Sequence, residues 1–243
     1  MQYKLEICAN SIESALAAQR GGTDRIELCD NMQEGGTTPS FGMIRRCKEL
    51  LSIPVFPIIR PRGGDFVYTD EEFEVMKVDV EMCKELGCEG VVIGILKEDG
   101  SIDKERCAVL IAMARPMEVT FHRAFDCCKD MKKGLEDIID LGCQRVLTSG
   151  GAALAADGIA VIRDLVKQAE GRVIIMAGSG INGENLQKVA DGTEAGEFHS
   201  TAKKVVRRYG LDEKKEVIDA SFYETDENLV DLLNKILKKS QFY

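Results

Sequence analysis

The sequence predicts an α/β fold, a single-domain (β/α)8 TIM barrel with an additional C-terminal helix. Short apolar segments of strand character alternate with longer segments of helical periodicity from residue 3 to about residue 205. Val119, Val146 and Val173 lie 27 residues apart, which is the length of one βα unit and too long for a hairpin. Eight such units in about 250 residues make a closed barrel, whereas doubly wound sheets typically use five or six strands.

Eight segments have the composition of buried parallel strands. They are residues 4–8, 25–29, 55–60, 90–95, 119–122, 145–149, 173–177 and 197–200. Gly22, Gly87 and Gly142 each precede one of these segments, as glycines do where a helix ends. A helix therefore connects each strand to the next, and this order requires parallel pairing.

The predicted helices carry recognisable start signals. Thr69 and Glu72 have the spacing of a capping box. The helix after them has an apolar face at intervals of three and four residues, formed by Phe73, Met76, Val80 and Cys83. Asn10 is the predicted N-cap of the first helix, and Thr38, followed by Pro39, is that of the second.

We expect residues 1–202 to form the barrel core and residues 203–243 to form a C-terminal helical extension packed on it. The first half of the extension is charged. Its second half has apolar residues at helical spacing, at Leu229, Leu232, Leu233, Ile236 and Leu237. This pattern favours a helix on the barrel wall over a helix that binds a partner protein.

Composition and charge narrow the expected ligands. The 243 residues include 32 basic and 41 acidic side chains, a net charge of −9, and 44% are hydrophobic. This balance predicts a globular protein and excludes intrinsic disorder. Nucleic acid and anionic membranes are not expected partners, because both require clustered Lys and Arg. A small molecule or a metal ion is the expected ligand, and no secretion signal or membrane span is expected.

The cysteines indicate a cellular compartment rather than a zinc site. There are nine, an odd number, and no two have the C-x-x-C spacing of zinc ribbons or thioredoxin-like sites. We therefore expect reduced thiols and a cytoplasmic location.

Functional residues of such a barrel lie at the carboxyl ends of its strands. The first two strands end in near copies of one pattern, Glu6-x-Cys8 and Glu27-x-Cys29. Because side chains alternate across a strand, each Glu shares a face with its Cys, and we place both pairs inside the barrel. Neighbouring strands are about 4.8 Å apart, so the two sulfurs approach each other if the registers match.

Other strand ends add charged and polar side chains to the same rim. They are Arg60, Arg62, His122, Asp126, Thr148, Ser149, Glu197, His199 and Ser200, and they include both histidines of the chain. A carboxylate inside a barrel is costly unless it is paired. We therefore expect the inward glutamates, Glu6, Glu27 and Glu197, to pair with an imidazolium or with the arginines after the third strand.

A glycine-rich turn follows the seventh strand. Gly178, Ser179 and Gly180 precede a helix that we expect to begin near Asn182. Together with Ser200, they lie where barrels often bind phosphate through backbone N–H groups. The alternative is that these glycines only permit a tight turn.

These strand ends and loops resemble those of the CutC copper-homeostasis family. The resemblance spans roughly residues 4–202 and rests on the two Glu-x-Cys pairs and on segments 34–40 (EGGTTPS), 60–66 (RPRGGDF), 120–126 (TFHRAFD), 147–151 (LTSGG) and 197–199 (EFH). One departure follows the seventh strand, where Ala177-Gly178-Ser179-Gly180 replaces a proline and three glycines that are common in the family.

The resemblance implies a cytoplasmic TIM barrel that forms a homo-oligomer, a dimer or tetramer, and contributes to copper tolerance by binding Cu(I). The copper ligands proposed for the family match Cys8 and Cys29. Cu(I) is a soft ion that prefers thiolates, so two cysteines on adjacent strands suit it. The alternative is that both cysteines are small buried hydrophobic residues. No organic cofactor is expected.

An enzyme is the second hypothesis. Glu27, Arg60 and His122 would then be a carboxylate base, a cationic electrophile and an imidazole acid, as in an isomerase or lyase for a small phosphorylated or carboxylated metabolite. Its substrate-binding residues would be Glu6, Arg62, Asp126, Thr148, Ser149, Gly178, Ser179, Gly180, Glu197, His199 and Ser200. No lysine ends a predicted strand, which disfavours a Schiff-base aldolase. A polar network that only stabilises the barrel mouth is the structural alternative.

Overall fold

The computed structural model describes residues 3–207 and 221–240, and it confirms the (β/α)8 barrel. The strands are β1 (Lys4–Ala9), β2 (Arg25–Leu28), β3 (Val55–Pro57), β4 (Gly90–Ile93), β5 (Glu118–Phe121), β6 (Arg145–Thr148), β7 (Ile174–Gly178) and β8 (Glu197–Ser200). Each predicted strand overlaps one of these, with its ends within three residues.

The eight strands pair in parallel in the order β3-β2-β1-β8-β7-β6-β5-β4. An isolated bridge between Ile58 and Val92 joins β3 to β4, where the Ile59 N–H donates to the Val92 carbonyl at 2.8 Å. The sheet therefore closes into a barrel, and the junction between β3 and β4 has the fewest backbone pairings.

Seven helices follow the strands around the barrel, and an eighth ends the described chain. They are α1 (Ile12–Arg20), α2 (Phe41–Leu50), α3 (Asp70–Glu85), α4 (Lys104–Ala114), α5 (Met131–Leu141), α6 (Ile159–Ala169), α7 (Leu186–Thr193) and α8 (Glu227–Ser240). None of these helices has the length and apolar character needed to cross a lipid bilayer.

Strand alternation divides the buried side chains into two groups. Leu5 and Ile7 belong to the large apolar core under the helices, whereas Cys8 and Cys29 belong to a small cluster inside the barrel with Phe56. The inward placement predicted for both cysteines is therefore observed.

The capping predictions are partly confirmed. Thr69 and Glu72 form the capping box of α3. The other two N-caps are wrong by one and two residues, because Ser11 caps α1 and Ser40 caps α2. The Thr38 hydroxyl instead accepts the Arg60 N–H at 2.9 Å, so this residue ties the loop to the end of β3 rather than starting a helix.

The chain after the barrel contains an antiparallel ribbon that the sequence did not predict. Its strands are β9 (Lys203–Val206) and β10 (Phe222–Thr225), and the part of the extension at 208–220 lies outside the described residues. The helix predicted after it is α8. Val230, Leu233 and Leu237 are buried there, whereas Leu229 and Leu232 are 40% and 43% exposed. The buried face is therefore rotated from the predicted one.

Close packing at Gly21 fixes α8 against the end of α1. A Cβ added to Gly21 would lie 2.5 Å from the Val230 Cβ and 2.9 Å from the Glu227 carbonyl oxygen. Beside this contact, the Asn234 side-chain amide donates to the Gly21 carbonyl at 2.7 Å. The packing of α8 therefore depends on a residue without a side chain at this position.

We expect Gly21→Ala to lower the free energy of unfolding by about 1–3 kcal/mol, because the added methyl overpacks the α1–α8 contact. Gly42→Ala is the matched control. Gly42 is exposed within α2 with only the Ser40 hydroxyl near an added Cβ, at 4.0 Å, so alanine should be neutral or stabilise by up to about 1 kcal/mol. Urea unfolding measures both. A Gly21→Ala protein as stable as the wild type would contradict the close packing.

Candidate functional site

A cavity of about 520 Å³ opens at the carboxyl ends of the strands. This volume lies in the range of small-molecule sites. Eight of the predicted site residues line the cavity: Cys8, Glu27, Arg60, His122, Ser179, Gly180, His199 and Ser200. The carboxyl ends of strands from around the barrel therefore meet at one place, as the sequence predicted.

Beneath the cavity, ion pairs between two arginines and two glutamates cross the barrel interior. Arg25 pairs with Glu6 and, at 2.7 Å, with Glu197. Arg145 donates to the same Glu197 carboxylate at 2.9 Å. Both guanidinium groups lie over the Phe56 ring, 5.0 and 5.5 Å from its centre. All five side chains are buried, so these charges neutralise one another away from water.

This network corrects one expectation and confirms another. The arginines that pair with Glu6 and Glu197 are the first residues of β2 and β6, not Arg60 and Arg62 after β3. Strand alternation contained the missed signal, because Arg25 stands two residues before the inward Glu27. The expected histidine partner is observed in His199.

His199 lies between two glutamates. Its Nδ1 is 2.7 Å from the Glu6 carboxylate, and its Nε2 is 3.6 Å from the Glu27 carboxylate. Burial alone would lower the pKa of His199, but the charges of Glu27 and Glu6 raise it above its ordinary value. Burial also opposes ionisation of Glu6, yet the charge of Arg25 and the hydrogen bond from His199 lower the pKa of Glu6 to about 2. Glu6 therefore stays ionised and orients the imidazole.

The thiols of Cys8 and Cys29 meet inside the barrel, and Cys8 lies beside this imidazole. Their sulfurs are 3.4 Å apart, although the strand register pairs Cys8 with Glu27 rather than with Cys29. Possible ligand atoms of Cys8, Glu27 and His199 all lie within 4.8 Å of one another. The hydrogen bond to Cys29, burial and the charge of Glu27 raise the pKa of Cys8 well above its ordinary value. Burial likewise raises the pKa of Glu27, although His199 opposes this.

Arg60 and His122 occupy another part of the cavity wall. Arg60 donates to the carbonyls of Glu34 and Gly36 at 2.8 and 2.7 Å and thereby holds the loop after β2 in place. The His122 ring packs against Gly94, where an added Cβ would lie 2.4 Å from the ring. Burial, reinforced by the charge of Arg60, lowers the pKa of His122 to about 3. The two histidines of the chain therefore have opposite protonation preferences.

Several predicted site residues lie away from the cavity surface. Glu6 and Glu197 lie below it, and Cys29 lies behind Cys8. Arg62 pairs with Glu72 and Asp65 on the outer loop. The remaining four, which also do not line the cavity, are Asp126, Thr148, Ser149 and Gly178.

Asp126 is the centre of a separate hydrogen-bond cluster. Its carboxylate accepts the Thr148 hydroxyl at 2.5 Å, the Ser149 hydroxyl at 2.9 Å and the Gly151 N–H at 3.1 Å. Arg123 also donates to it at 2.8 Å. These groups satisfy one another and fix the loop after β6.

The turn after β7 departs from the expected helix start. α7 begins at Leu186, four residues later than predicted, with Asn185 as its N-cap. Ser179 has a φ of +91°, in the left-handed region that favours glycine. Its hydroxyl donates to the Ala153 carbonyl at 2.8 Å, and the Ser200 hydroxyl donates to the Ile181 carbonyl at 2.6 Å. Both hydroxyl groups therefore donate their protons to backbone carbonyls and not to a ligand.

Other residues of the cavity wall were not predicted. Phe66, Arg123 and Lys203 line it, together with Met32 from a short 3₁₀ turn. Phe66 and Arg123 fall inside the segments that carried the family resemblance. The resemblance therefore drew attention to these positions but did not indicate that they line the cavity. Lys203 reaches the cavity from the unpredicted ribbon, which the charge pattern alone does not indicate.

The fold and the site define a TIM-barrel protein with a buried thiol, imidazole and carboxylate cluster at the barrel mouth. A model of the CutC family matches residues 3–204. The human copper homeostasis protein cutC homolog is 51% identical over 201 residues, which cover 83% of this chain and 74% of the human protein. A CutC family protein of Xylella fastidiosa strain Temecula1 is 47% identical over 237 residues, which cover 97% and 89%.

A solved structure of a CutC protein is also similar to this chain. The crystal structure of CutC from Streptococcus agalactiae is 35% identical to this chain, with a TM-score of 0.79, and the match covers 82% of this chain and 99% of the other. The chain belongs to the CutC family.

We expect Arg25→Met to lower the free energy of unfolding by about 3–5 kcal/mol, because it leaves two buried carboxylates without their shared cation. Arg20→Met is the matched control. Arg20 pairs with Glu227 on the exposed surface, and the loss there should stay below about 1 kcal/mol. Urea unfolding at neutral pH compares the two variants, and equal losses would show that the buried network is not stabilising.

The two histidines should titrate on opposite sides of pH 6.5. His199 should keep its proton above that pH, and His122 should stay neutral down to about pH 3. Imidazole NMR signals of the copper-free protein measure both midpoints, and a single His→Asn variant assigns them, since the chain has only two histidines. A His122 midpoint above 6.5 would mean that its ring is hydrated or ion-paired.

Proposed function

We propose that this protein binds Cu(I) through Cys8 and Cys29 and takes part in copper homeostasis. The observation that carries the proposal is the 3.4 Å separation of the two buried sulfurs, one of which, that of Cys8, lies within 4.8 Å of a His199 ring nitrogen. Cu(I) prefers soft thiolate ligands, and imidazole also suits copper. The human relative is described as a copper homeostasis protein.

The sulfur separation favours a third donor from His199. Metal–thiolate bonds are about 2.3 Å long in zinc sites, and two bonds of that length span 3.4 Å only with a strongly bent S–metal–S angle. A bent pair leaves room for another ligand. The Glu6 carboxylate holds the Nδ1 of His199 at 2.7 Å, the arrangement by which a carboxylate orients a metal-binding imidazole. The Nε2 of His199, which faces Glu27 at 3.6 Å, is then the nitrogen that would bind copper once its proton has left.

Copper binding requires that protons leave the site. The pKa of Cys8 is raised, so this residue is a thiol at neutral pH, and Cu(I) replaces its proton. The Glu27 carboxylate lies within 4.8 Å of the sulfur and can accept that proton. Cu(I) affinity should accordingly increase with pH, as expected for thiol ligands.

We also propose a cytoplasmic location and a homo-oligomer, a dimer or tetramer. The odd number of cysteines and the lack of C-x-x-C spacing support a reducing compartment. The oligomer rests on the family resemblance. Light scattering of the purified full chain measures its mass, and a monomer at micromolar concentration would contradict this part of the proposal.

The second candidate function is an acid/base enzyme of the isomerase or lyase type. Glu27 has a raised pKa, and Arg60 and His122 each retain a buried N–H that has no partner in the described structure. These are suitable groups for proton transfer to a small carboxylated or phosphorylated metabolite. The first requirement of this function is an organic ligand in the cavity.

We expect the Cys8→Ser/Cys29→Ser double variant to bind Cu(I) at least 100-fold more weakly than the wild type, since loss of ligands should exceed the 10- to 100-fold effect of outer residues. Competition with a chromogenic Cu(I) chelator under reducing conditions measures the affinity. Cys127→Ser is the matched control, because Cys127 is exposed and does not line the cavity.

The single variants and His199→Asn test the ligand set. Each cysteine variant should lose most of the affinity, and His199→Asn should lose about 10- to 100-fold. Equal affinity of the wild type and the double variant would leave Cys8 and Cys29 as buried hydrophobic residues.

A further inference from the structure

The guanidinium of Arg60 is held rigidly but is not neutralised. Arg60 is 3% exposed, and its terminal nitrogens donate to backbone carbonyls of Glu34, Gly36 and Gly64 at 2.7–2.8 Å. No Asp or Glu in the described ranges forms an ion pair with it. Its Nε–H makes no hydrogen bond in that part of the chain, and the hydroxyl of the nearby Tyr68 is buried and unpaired as well. A buried cation with a spare donor is costly unless an anion completes it.

His122 offers a second donor on the same cavity. It is 4% exposed, and its Nδ1 accepts the Ala124 N–H at 3.1 Å. The neutral ring therefore carries its proton on Nε2, which finds no partner among residues 3–207 and 221–240. Arg60 and His122 both line the cavity, so two unpaired N–H donors belong to one wall.

Phe66 covers these two donors. Its ring centre is 5.0 Å from the Arg60 guanidinium carbon and 5.0 Å from the centre of the His122 ring. The adjoining cavity wall is apolar, with Ile58 and Leu147. A ligand at these donors contacts the Phe66 ring and this apolar surface, which favours an organic molecule over a bare inorganic ion.

We propose that this side of the cavity binds a small organic carboxylate whose oxygens accept the N–H groups of Arg60 Nε and His122 Nε2. One free donor from each residue suits the two oxygens of a single carboxylate. A phosphate would need more donors, and three of the other four N–H groups of Arg60 already bind carbonyls. Lys203 at the rim supplies positive charge for a second acidic group. The site is separate from the thiols and does not depend on copper.

Titration calorimetry with succinate on the copper-free, reduced full chain tests this proposal. We expect saturable binding of one succinate per chain. His122→Phe, which removes one donor but keeps an aromatic ring, should weaken it at least tenfold, the effect of one hydrogen bond to a charged group. Lys203→Ala should weaken it several-fold.

Lys204→Ala is the matched control, because Lys204 pairs with Asp226 at 3.0 Å and does not line the cavity. Its affinity should equal that of the wild type. The wild-type protein gives an independent measurement, since bound succinate should shift the His122 Nε2 NMR signal. That signal keeps the test decisive if His122→Phe does not fold.

Three results would overturn the proposal. The first is no saturable heat with succinate at up to about 10 mM, the limit of weak specific binding. The second is equal loss of affinity in Lys203→Ala and Lys204→Ala, or an unmoved His122 signal. The third is binding of inorganic phosphate without binding of succinate, which would replace the carboxylate by another class of anion.

Discussion

The buried pairing of Arg25 with Glu6 and Glu197 is the constraint on which the rest of the site depends. The buried charges of Arg25, Glu6 and Glu197 are tolerated only because each is paired, and Arg145 supplies the second cation on Glu197. Once Glu6 is ionised and fixed by Arg25, it holds one nitrogen of His199 and turns the other toward Glu27 and the thiols. The first residue of a strand thus determines the orientation of an imidazole at the barrel mouth.

The cavity above this network combines two kinds of chemistry. On one side lie sulfur atoms, which suit a soft metal ion. On the other side lie a rigid guanidinium and a neutral imidazole, which suit oxygen anions. The polar groups of both sides sit on strands or immediately after them, so the barrel itself keeps them apart. The proposed copper site at the thiols and the proposed carboxylate site at Arg60 and His122 therefore use different atoms.

The strand pattern predicted most of this arrangement, because alternation and order decide which side chains enter a parallel barrel. Cys8, Glu27 and His199 were all found in this way. The strand pattern did not predict which charges pair. Arg25 and Arg60 both point into the barrel, and their different heights along the barrel axis decide which of them meets Glu6. Phe66 could not be placed because its position depends on the path of a loop. The buried face of α8 depends on its contact with Gly21 at the end of α1, which the spacing of apolar residues in α8 does not indicate.

The single bridge between β3 and β4 has a consequence for the chemistry of Cys29. Local opening of a sheet costs least where the fewest backbone hydrogen bonds must break, and this junction has one isolated pairing. Ile58 and Val92, which form that pairing, also belong to the apolar cluster that encloses the Cys29 sulfur. Any opening of the barrel wall at this junction would loosen the packing around a thiol, and it would couple the accessibility of Cys29 to oxidants to the mechanical stiffness of the barrel.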